Sequence, residues 1–258
     1  MVLAHMKAIL SDIHGNLEAV QAVLADIARY PVDAIYCLGD LVGYGPNPRE
    51  CVDLAMRWQV ILRGNFDQAL LTFPPGLVTS AISANESLRY AFGELNTPTA
   101  NHPSAQRRWN FLNKCLSMHR EENFLFVHGS AHHPVNEWVF PEEIYNPGKM
   151  DRIFSQVNRY CFQGHTHLPG LFLEGDAYRY LSPAEVDHAY RLDGRKTLCN
   201  VGSVGQPRDG DRRACYVLLD GEDILFRRVE YDVETTIRKI RDLDDLANFL
   251  GDRLRNGR

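Results

Sequence analysis

Five short clusters of acids, amides and histidines punctuate the chain: Asp12-Ile13-His14, Gly39-Asp40-Leu41-Val42-Gly43, Gly64-Asn65-Phe66-Asp67, His128-Gly129 and Gly164-His165-Thr166-His167. Imidazole, carboxylate and amide oxygen together suit borderline divalent ions: manganese, iron, zinc, nickel or cobalt. Residues two apart on an extended backbone point the same way, so Asp12 and His14 can face one ion, and so can His165 and His167. Seven groups are available: Asp12, His14, Asp40, Asn65, His128, His165 and His167. A closed zinc site needs about four ligands. Seven suit two ions that share a bridging carboxylate. Two divalent cations, less two carboxylates and one hydroxide, leave a net charge of about +1 to attract a phosphate, and a bound metal brings the pKa of water to roughly 7. Any one aspartate or histidine after a strand is commonly a cap or a satisfied polar group. Five such clusters in one chain are not explained that way.

The elements that must position these residues have a βαβ rhythm. Apolar strands are expected over 7–10, 34–38, 60–62, 123–127 and 159–162, and each runs into one of the five clusters. In open α/β sheets, sites form beyond the carboxyl ends of strands, so the clusters can converge. Gly39, Gly64, Gly129 and Gly164 let the backbone turn sharply and approach an ion. Asn16 can cap a helix whose apolar positions Leu17, Val20, Val23, Leu24 and Ile27 have helical spacing. A short helix is expected over 50–57. Residues 73–122 hold prolines and polar residues, with helical stretches near 79–93 and 103–119, and are expected as a helical excursion outside the sheet. A hairpin over 171–180 and strands over 196–201, 214–219 and 224–231 follow, the last two joined by Asp220-Gly221. The tail, 233–256, is expected as one helix with Ile237, Ile240, Leu243, Leu246 and Leu250 as an apolar stripe against its own domain. The whole chain, 1–258, is expected as a single domain.

The bulk numbers narrow the function. With 258 residues, 45% hydrophobic and 24% charged, the chain has the composition of a globular protein with a substantial core. A net charge of -5 gives no basic footprint for general nucleic-acid binding. No apolar run approaches the roughly 18 residues of a membrane span, and the first residues do not resemble a secretory signal. Six scattered cysteines without a C-x-x-C pair point to buried free thiols and a cytoplasmic protein. The oligomeric state is left open.

The five clusters, in this order, resemble the blocks of the calcineurin-like metallophosphoesterases: D-x-H, G-D-x-x-G, G-N-H-D/E, a histidine before glycine, and G-H-x-H. Asn200-Val201-Gly202-Ser203 resembles the N-P-G-S turn of the small bacterial and archaeal phosphodiesterases of that superfamily, with Val201 where proline is common. The likeness spans about 12–210. It implies an α/β fold, a four-layer α-β-β-α sandwich of two mixed sheets flanked by helices. It also implies that Asp12, His14 and His167 hold one ion and Asn65, His128 and His165 the other, with Asp40 between them. Two divalent ions are expected, manganese first.

One departure bears on substrate. The third block carries a histidine in the family, and this chain has Phe66 there. The resemblance makes that histidine a phosphate contact and a proton donor to the leaving group. A general acid is worth roughly 10²–10⁴ in rate, so its loss should select good leaving groups. Asp67, which would orient the histidine, is left to cap a loop. Phe66 either packs beside the cleft or stacks on a substrate ring. His102, His119, His132, His133 and His188 are spare imidazoles, while Asn65, Arg63, Arg208 and Tyr44 are candidate substrate contacts. The expected function is hydrolysis of phosphodiesters or small nucleotide polyphosphates by a metal-bridging hydroxide. The alternatives are a phosphomonoesterase or protein phosphatase, and a non-catalytic scaffold of the same fold. Retention of all seven ligand types argues against the scaffold.

Overall fold

The protein is described by a computed structural model that covers residues 6–72, 82–97 and 104–258. In chain order the strands are β1 (Met6–Leu10), β2 (Val32–Cys37), β3 (Val60–Ile61), β4 (Met118–Glu121), β5 (Phe124–Val127), β6 (Tyr160–Gln163), β7 (Gly170–Leu173), β8 (Arg179–Leu181), β9 (Ala189–Arg191), β10 (Thr197–Asn200), β11 (Ala214–Asp220) and β12 (Asp223–Val229). The α-helices are α1 (Leu17–Ile27), α2 (Pro48–Ala55), α3 (Asn65–Leu71), α4 (Ile82–Asn96), α5 (Ala105–Lys114), α6 (Pro147–Ser155), α7 (Val233–Arg241) and α8 (Phe249–Asp252).

The strands form two six-stranded sheets, ordered β3-β2-β1-β11-β12-β9 and β4-β5-β6-β10-β7-β8. Both are mixed. In the first, β1, β2 and β3 run parallel and β11, β12 and β9 are antiparallel to their neighbours. In the second, β5, β6 and β10 are the parallel set. Alternation along each strand builds the layers. Ile9 faces Phe126, Phe162, Leu171 and Val217 between the sheets, whereas Ala8 and Leu10 face α1 and α2 on the outside. On the second sheet, Phe162 points inward while Cys161 and Leu198 pack on Met150, Ile153 and Phe154 of α6. The result is the expected helix–sheet–sheet–helix sandwich.

Several elements differ from expectation, and α6 was not foreseen at all. The edge strands β4 and β9 carry alternating exposed and partly buried residues, many of them charged or polar, so no apolar run announces them. Helix α3 follows Gly64 directly, where a loop was expected. Asp67 at its third position accepts the Gly64 N–H at 3.0 Å and satisfies an orphan donor. The tail is two helices, not one. The stretch 242–248 holds Asp242, Asp244 and Asp245, which compete for backbone hydrogen bonds and interrupt the helix. The stripe survives the break: Ile237, Ile240, Leu246, Leu250 and Leu254 pack as one cluster, joined by Leu243 and covering Tyr44 and Tyr90. Within the expected excursion, α4 and α5 pack Leu88, Leu95 and Leu112 onto the first sheet's helical layer. Residues 73–81 and 98–103, with His102, lie outside the described residues. The six cysteines are buried and free. Among the described residues no helix is long and apolar enough to cross a membrane.

Candidate metal centre

The clusters converge where β1, β2, β5 and β6 end. They form two groups: Asp12, His14 and His167, and Asp40, His128 and His165, each with ligand atoms within 4.8 Å of one another. All six residues are at most 3% exposed. Asn65, at the start of α3, points Oδ1 at His128 Nε2 from 3.1 Å and completes the second group. All seven expected groups are therefore brought together. The pairing expected from an extended backbone is corrected, because His165 and His167 go to different groups. Asp12, His14, Asp40, His165 and His167 all have positive φ, between 48° and 69°. Left-handed backbone is strained for non-glycine residues, and five ligand residues adopt it at the centre. Close approach also needs glycine at two points: a Cβ on Gly64 would overlap the Asp40 carboxylate, and one on Gly164 would overlap Ser11 and Asp12.

Proton positions can be deduced in the first group. His14 Nδ1 lies 3.0 Å from the Val42 carbonyl and His167 Nδ1 lies 2.6 Å from the Gln206 carbonyl. A carbonyl only accepts, so each Nδ1 carries the hydrogen and each Nε2 presents a lone pair. Those two Nε2 atoms face each other at 3.2 Å. Asp12 Oδ1, also an acceptor and without a hydrogen-bond partner, lies 3.1 Å from His167 Nε2 and 3.8 Å from His14 Nε2. Three acceptors thus point at one another in a buried space. A proton does not resolve this. Burial, reinforced by the neighbouring histidine, drives His14 well below the usual imidazole range. Burial, with Arg208 beside it, brings His167 down to about 4. A divalent cation does resolve it, so the residues fit a metal.

The second group is alike. His128 Nδ1 donates to the Leu38 carbonyl at 3.1 Å, leaving Nε2 to face His165 Nδ1 at 3.1 Å. His165 Nε2 is buried without a hydrogen-bond partner, and burial brings this imidazole down to about 2. Asp40 stands between the groups: its Oδ2 is 3.6 Å from His14 Nε2 and 3.6 Å from His128 Nε2. Burial and the facing Asp67 and Asp12 carboxylates push Asp40 well above the ordinary range.

Around the centre, Phe66 packs inside. It is buried, 4.6 Å from the Tyr44 ring and edge-on to His14 at 5.2 Å. Phe66 thus packs beside the centre, and with Asn65 it also lines a neighbouring cavity. Its N–H donates to Asp40 Oδ1 at 2.8 Å. Asp67 does more than cap a loop. Its carboxylate accepts the N–H groups of Asp40, Leu41 and Gly64, which clamps the second and third clusters together. Tyr44 lies 4.7 Å from the His14 ring, and the Arg208 guanidinium lies 5.9 Å from the Tyr44 ring. Arg63 is a correction: its guanidinium donates to the Asn113 carbonyl at 2.8 Å, which ties it to α5 instead of presenting it to substrate. His119, His132, His133 and His188 join neither group.

The sequence reading passed over Trp138, whose ring lies 3.9 Å from the His165 imidazole and stacks with Phe140 at 5.5 Å. An aromatic residue in a loop ten positions past His128 carries no periodic signal. Gln206 was also missed; its carbonyl fixes the His167 tautomer and its Oε1 accepts from Arg208 at 2.7 Å.

Comparison with known proteins adds the following. The profile of the calcineurin-like phosphoesterase superfamily domain matches residues 6–223. An uncharacterized protein of Methanocaldococcus jannaschii is 34% identical over 267 positions, covering 98% of each chain. The crystal structure of a metallophosphoesterase from Sphaerobacter thermophilus superposes with a TM-score of 0.81 at 30% identity, covering 99% of this chain and 100% of that one. A hypothetical protein from Pyrococcus horikoshii OT3 shares the fold with a TM-score of 0.74 at 21% identity, covering 98% of each.

Proposed function

Because the chain belongs to the calcineurin-like phosphoesterase superfamily, we propose that it is a dinuclear-metal phosphoesterase acting on phosphodiesters or on small nucleotide polyphosphates. Asp12, His14 and His167 would hold one ion, and Asn65, His128 and His165 the other. Asp40 would bridge them. The observation that carries this reading is the Asp40 carboxylate, equidistant from a histidine of each group, among nitrogens whose lone pairs converge. When bound, two divalent ions supply Lewis acidity and a nucleophile from water at neutral pH. Manganese is the ion we would test first, with iron, zinc, nickel and cobalt also suited to a site of imidazole, carboxylate and amide oxygen.

The chain's own residues do the rest. Main-chain carbonyls of Val42, Leu38 and Gln206 hold three imidazoles in the tautomer that turns Nε2 inward. Arg208 places positive charge beside the first group, where a phosphate oxygen would lie. Phe66 donates no proton, and none of the spare histidines among the described residues joins either group. The leaving group therefore departs without a side-chain acid. Phenolates and phosphates tolerate that; simple alkoxides do not. This supports diesters and anhydrides over monoesters of simple alcohols.

The test is hydrolysis of bis(p-nitrophenyl) phosphate against p-nitrophenyl phosphate, using metal-stripped protein with added manganese, nickel, cobalt, zinc or magnesium. Metal-dependent turnover with the diester preferred is expected. A monoester preference would replace this reading with a phosphomonoesterase. Two bound ions without turnover on either would move the chain toward a scaffold role.

A further inference from the structure

Helix α3 carries part of the second metal group at its start and a cavity along its side. Gln68, Ala69 and Thr72 follow Asn65 by three, four and seven residues, so the four share one face of the helix and its cap. That face borders a cavity of about 220 Å³. Phe66 and Leu88, both buried, give it apolar walls, while Thr72 and Asn136 stand at its exposed rim. The lining joins the cavity to the metal centre. Asn65 turns Oδ1 to His128 Nε2 at 3.1 Å, and the Phe66 ring lies edge-on to His14 at 5.2 Å. Asn136 is fixed from both sides: a Cβ on Gly129, next to His128, would come within 3.1 Å of the Asn136 nitrogen, and the Trp138 ring lies 3.9 Å from the His165 imidazole. A helix rises about 1.5 Å per residue, so Gln68 stands roughly 4.5 Å along the axis from Asn65. A pentose between a phosphorus at the metal groups and a ring in the cavity covers a step of that order.

The lining also restricts the occupant. None of these residues is charged. Two larger hollows elsewhere differ: one, bordered by β9 and β12, carries Arg191, Asp220 and Asp223, and the other, beside α5, carries Arg107 and Lys114. A phosphate or carboxylate in the α3 cavity would lose water without gaining a counter-charge. Thr72 spends its hydroxyl hydrogen on the main-chain carbonyls of Gln68 and Ala69, at 3.3 and 3.0 Å. The side-chain amides of Gln68 and Asn136, by contrast, make no hydrogen bond among the described residues. Each offers a donor and an acceptor side by side. An alkyl chain would leave both unpaired, whereas the edge of a nucleobase matches them, as amides match adenine in nucleic-acid recognition. Pockets for drug-sized ligands run from about 300 to 1,000 Å³, so this smaller one suits a single ring system and not a peptide.

We propose that this cavity is a base pocket, which receives the uncharged heterocycle of a nucleotide whose phosphorus sits at the metal groups. Gln68 and Asn136 hydrogen-bond the edge of the base, and Phe66 and Leu88 pack on its face. The substrates are then nucleotide esters or anhydrides, and sugar phosphates, phospholipids and phosphoproteins are poor ones. This rests on the phosphoesterase reading, which places the phosphorus at the metals. It also gives Phe66 a use where the resemblance expects a histidine: a wall for a ring in place of an acid.

The experiment is calorimetric titration of manganese-loaded protein with AMP and with ribose 5-phosphate, which shares the phosphate and sugar but lacks the base. If either is hydrolysed, the same ratio is read from kcat/KM. AMP should be favoured at least about tenfold, the scale of one or two hydrogen bonds. Gln68→Leu should weaken AMP about three- to tenfold and change ribose 5-phosphate by less than about twofold. Ala69→Phe, which fills the cavity, should abolish the preference for AMP while ribose 5-phosphate still binds as to the wild type, which shows the fold and metal centre intact. Gln106→Leu, an exposed amide on α5 bonded to Asn110, should match the wild type for both ligands. Equal affinities for the two ligands in the wild type would overturn the pocket, and so would equal losses for both in Gln68→Leu. Hexyl phosphate binding as tightly as AMP would overturn it in favour of an apolar chain. A failed nitrophenyl assay beside a retained AMP preference would count against the phosphoesterase reading and not against the base pocket.

Discussion

Replacing Asp40 with asparagine should have opposite effects on the metal-free and the metal-loaded protein. Asp40 Oδ1 accepts the Phe66 N–H at 2.8 Å, and asparagine keeps that bond. The change falls on Oδ2, 3.6 Å from His14 Nε2 and 3.6 Å from His128 Nε2. There asparagine offers an N–H to facing acceptors, and an ionisable group that burial and two neighbouring carboxylates hold above its ordinary range disappears. Replacing a buried ion pair by uncharged groups of similar volume is often neutral or stabilising by about 1–4 kcal/mol, and a buried carboxyl faced by other carboxylates falls on the same scale. At about 2–4 °C per kcal/mol for a chain of this size, the metal-free variant should melt roughly 2–16 °C higher than the wild type in EDTA at pH 7. The gain should depend on pH. Asp40 is pushed well above the ordinary range by burial and by Asp67 and Asp12, so the native state retains a proton that the unfolded chain releases near pH 4. Metal-free wild type therefore loses stability as pH rises above about 4, and the variant escapes that loss. With manganese the order should reverse. A ligand at a hundredfold excess over its Kd adds about 2.7 kcal/mol to the wild type. The variant should gain less and should carry fewer than two ions per chain by elemental analysis. A variant that melts lower in EDTA and keeps full metal content would refute the placement of this carboxylate between two ions.

Two further outcomes are expected. Phe66→His should raise turnover most on esters with poor leaving groups, while lowering stability by about 1–3 kcal/mol through burial of a polar ring beside Tyr44. An equal rate change across leaving groups would mean that the position does not address the leaving oxygen. Asp26 accepts from Tyr216 at 2.9 Å and from Arg227 at 3.0 Å twice; burial opposes its ionisation, but these bonds outweigh it and hold the carboxyl below the usual range. Asp26→Asn should therefore cost about 1.5–3 kcal/mol at neutral pH. The cost should shrink as pH falls below about 4, through the lower native value. Parallel urea midpoints from pH 7 to pH 3 would contradict it.

How far the site could be read from sequence depended on which interactions are local. Each cluster follows an apolar strand, so Asp12, Asp40, Asn65, His128 and His165 could be placed at strand ends from hydrophobic pattern alone. The partition of His165 and His167 between the two groups could not: spacing put both on one ion, and only the family resemblance implied the division that the structure has. Helix α3 was missed because Gly64 supplies no side-chain cap, although an acid three residues later is a recognisable start signal. Arg63 and Arg208 looked equivalent as sequence neighbours of the clusters. Only the packing of α5 gives the first a carbonyl partner at Asn113, while Gln206 holds the second beside Tyr44. The tail's stripe was legible because burial follows spacing. Its interruption was not, because Leu243 and Leu246 bury their side chains whether or not the backbone between them is helical.

The geometry of the centre bears on why these seven groups stay together. Converging lone pairs at His14 and His167, an unbonded Asp12 oxygen, and a buried Asp40 facing Asp67 all weigh against the folded state when no cation is present. The surrounding structure holds them regardless: three carbonyls lock the histidine tautomers, and the Asp67 carboxylate ties the Asp40 loop to α3 through three N–H bonds. A scaffold would have no use for this strain, and substitutions such as Asp40→Asn would relieve it. Retaining the strained arrangement makes sense where cations bind.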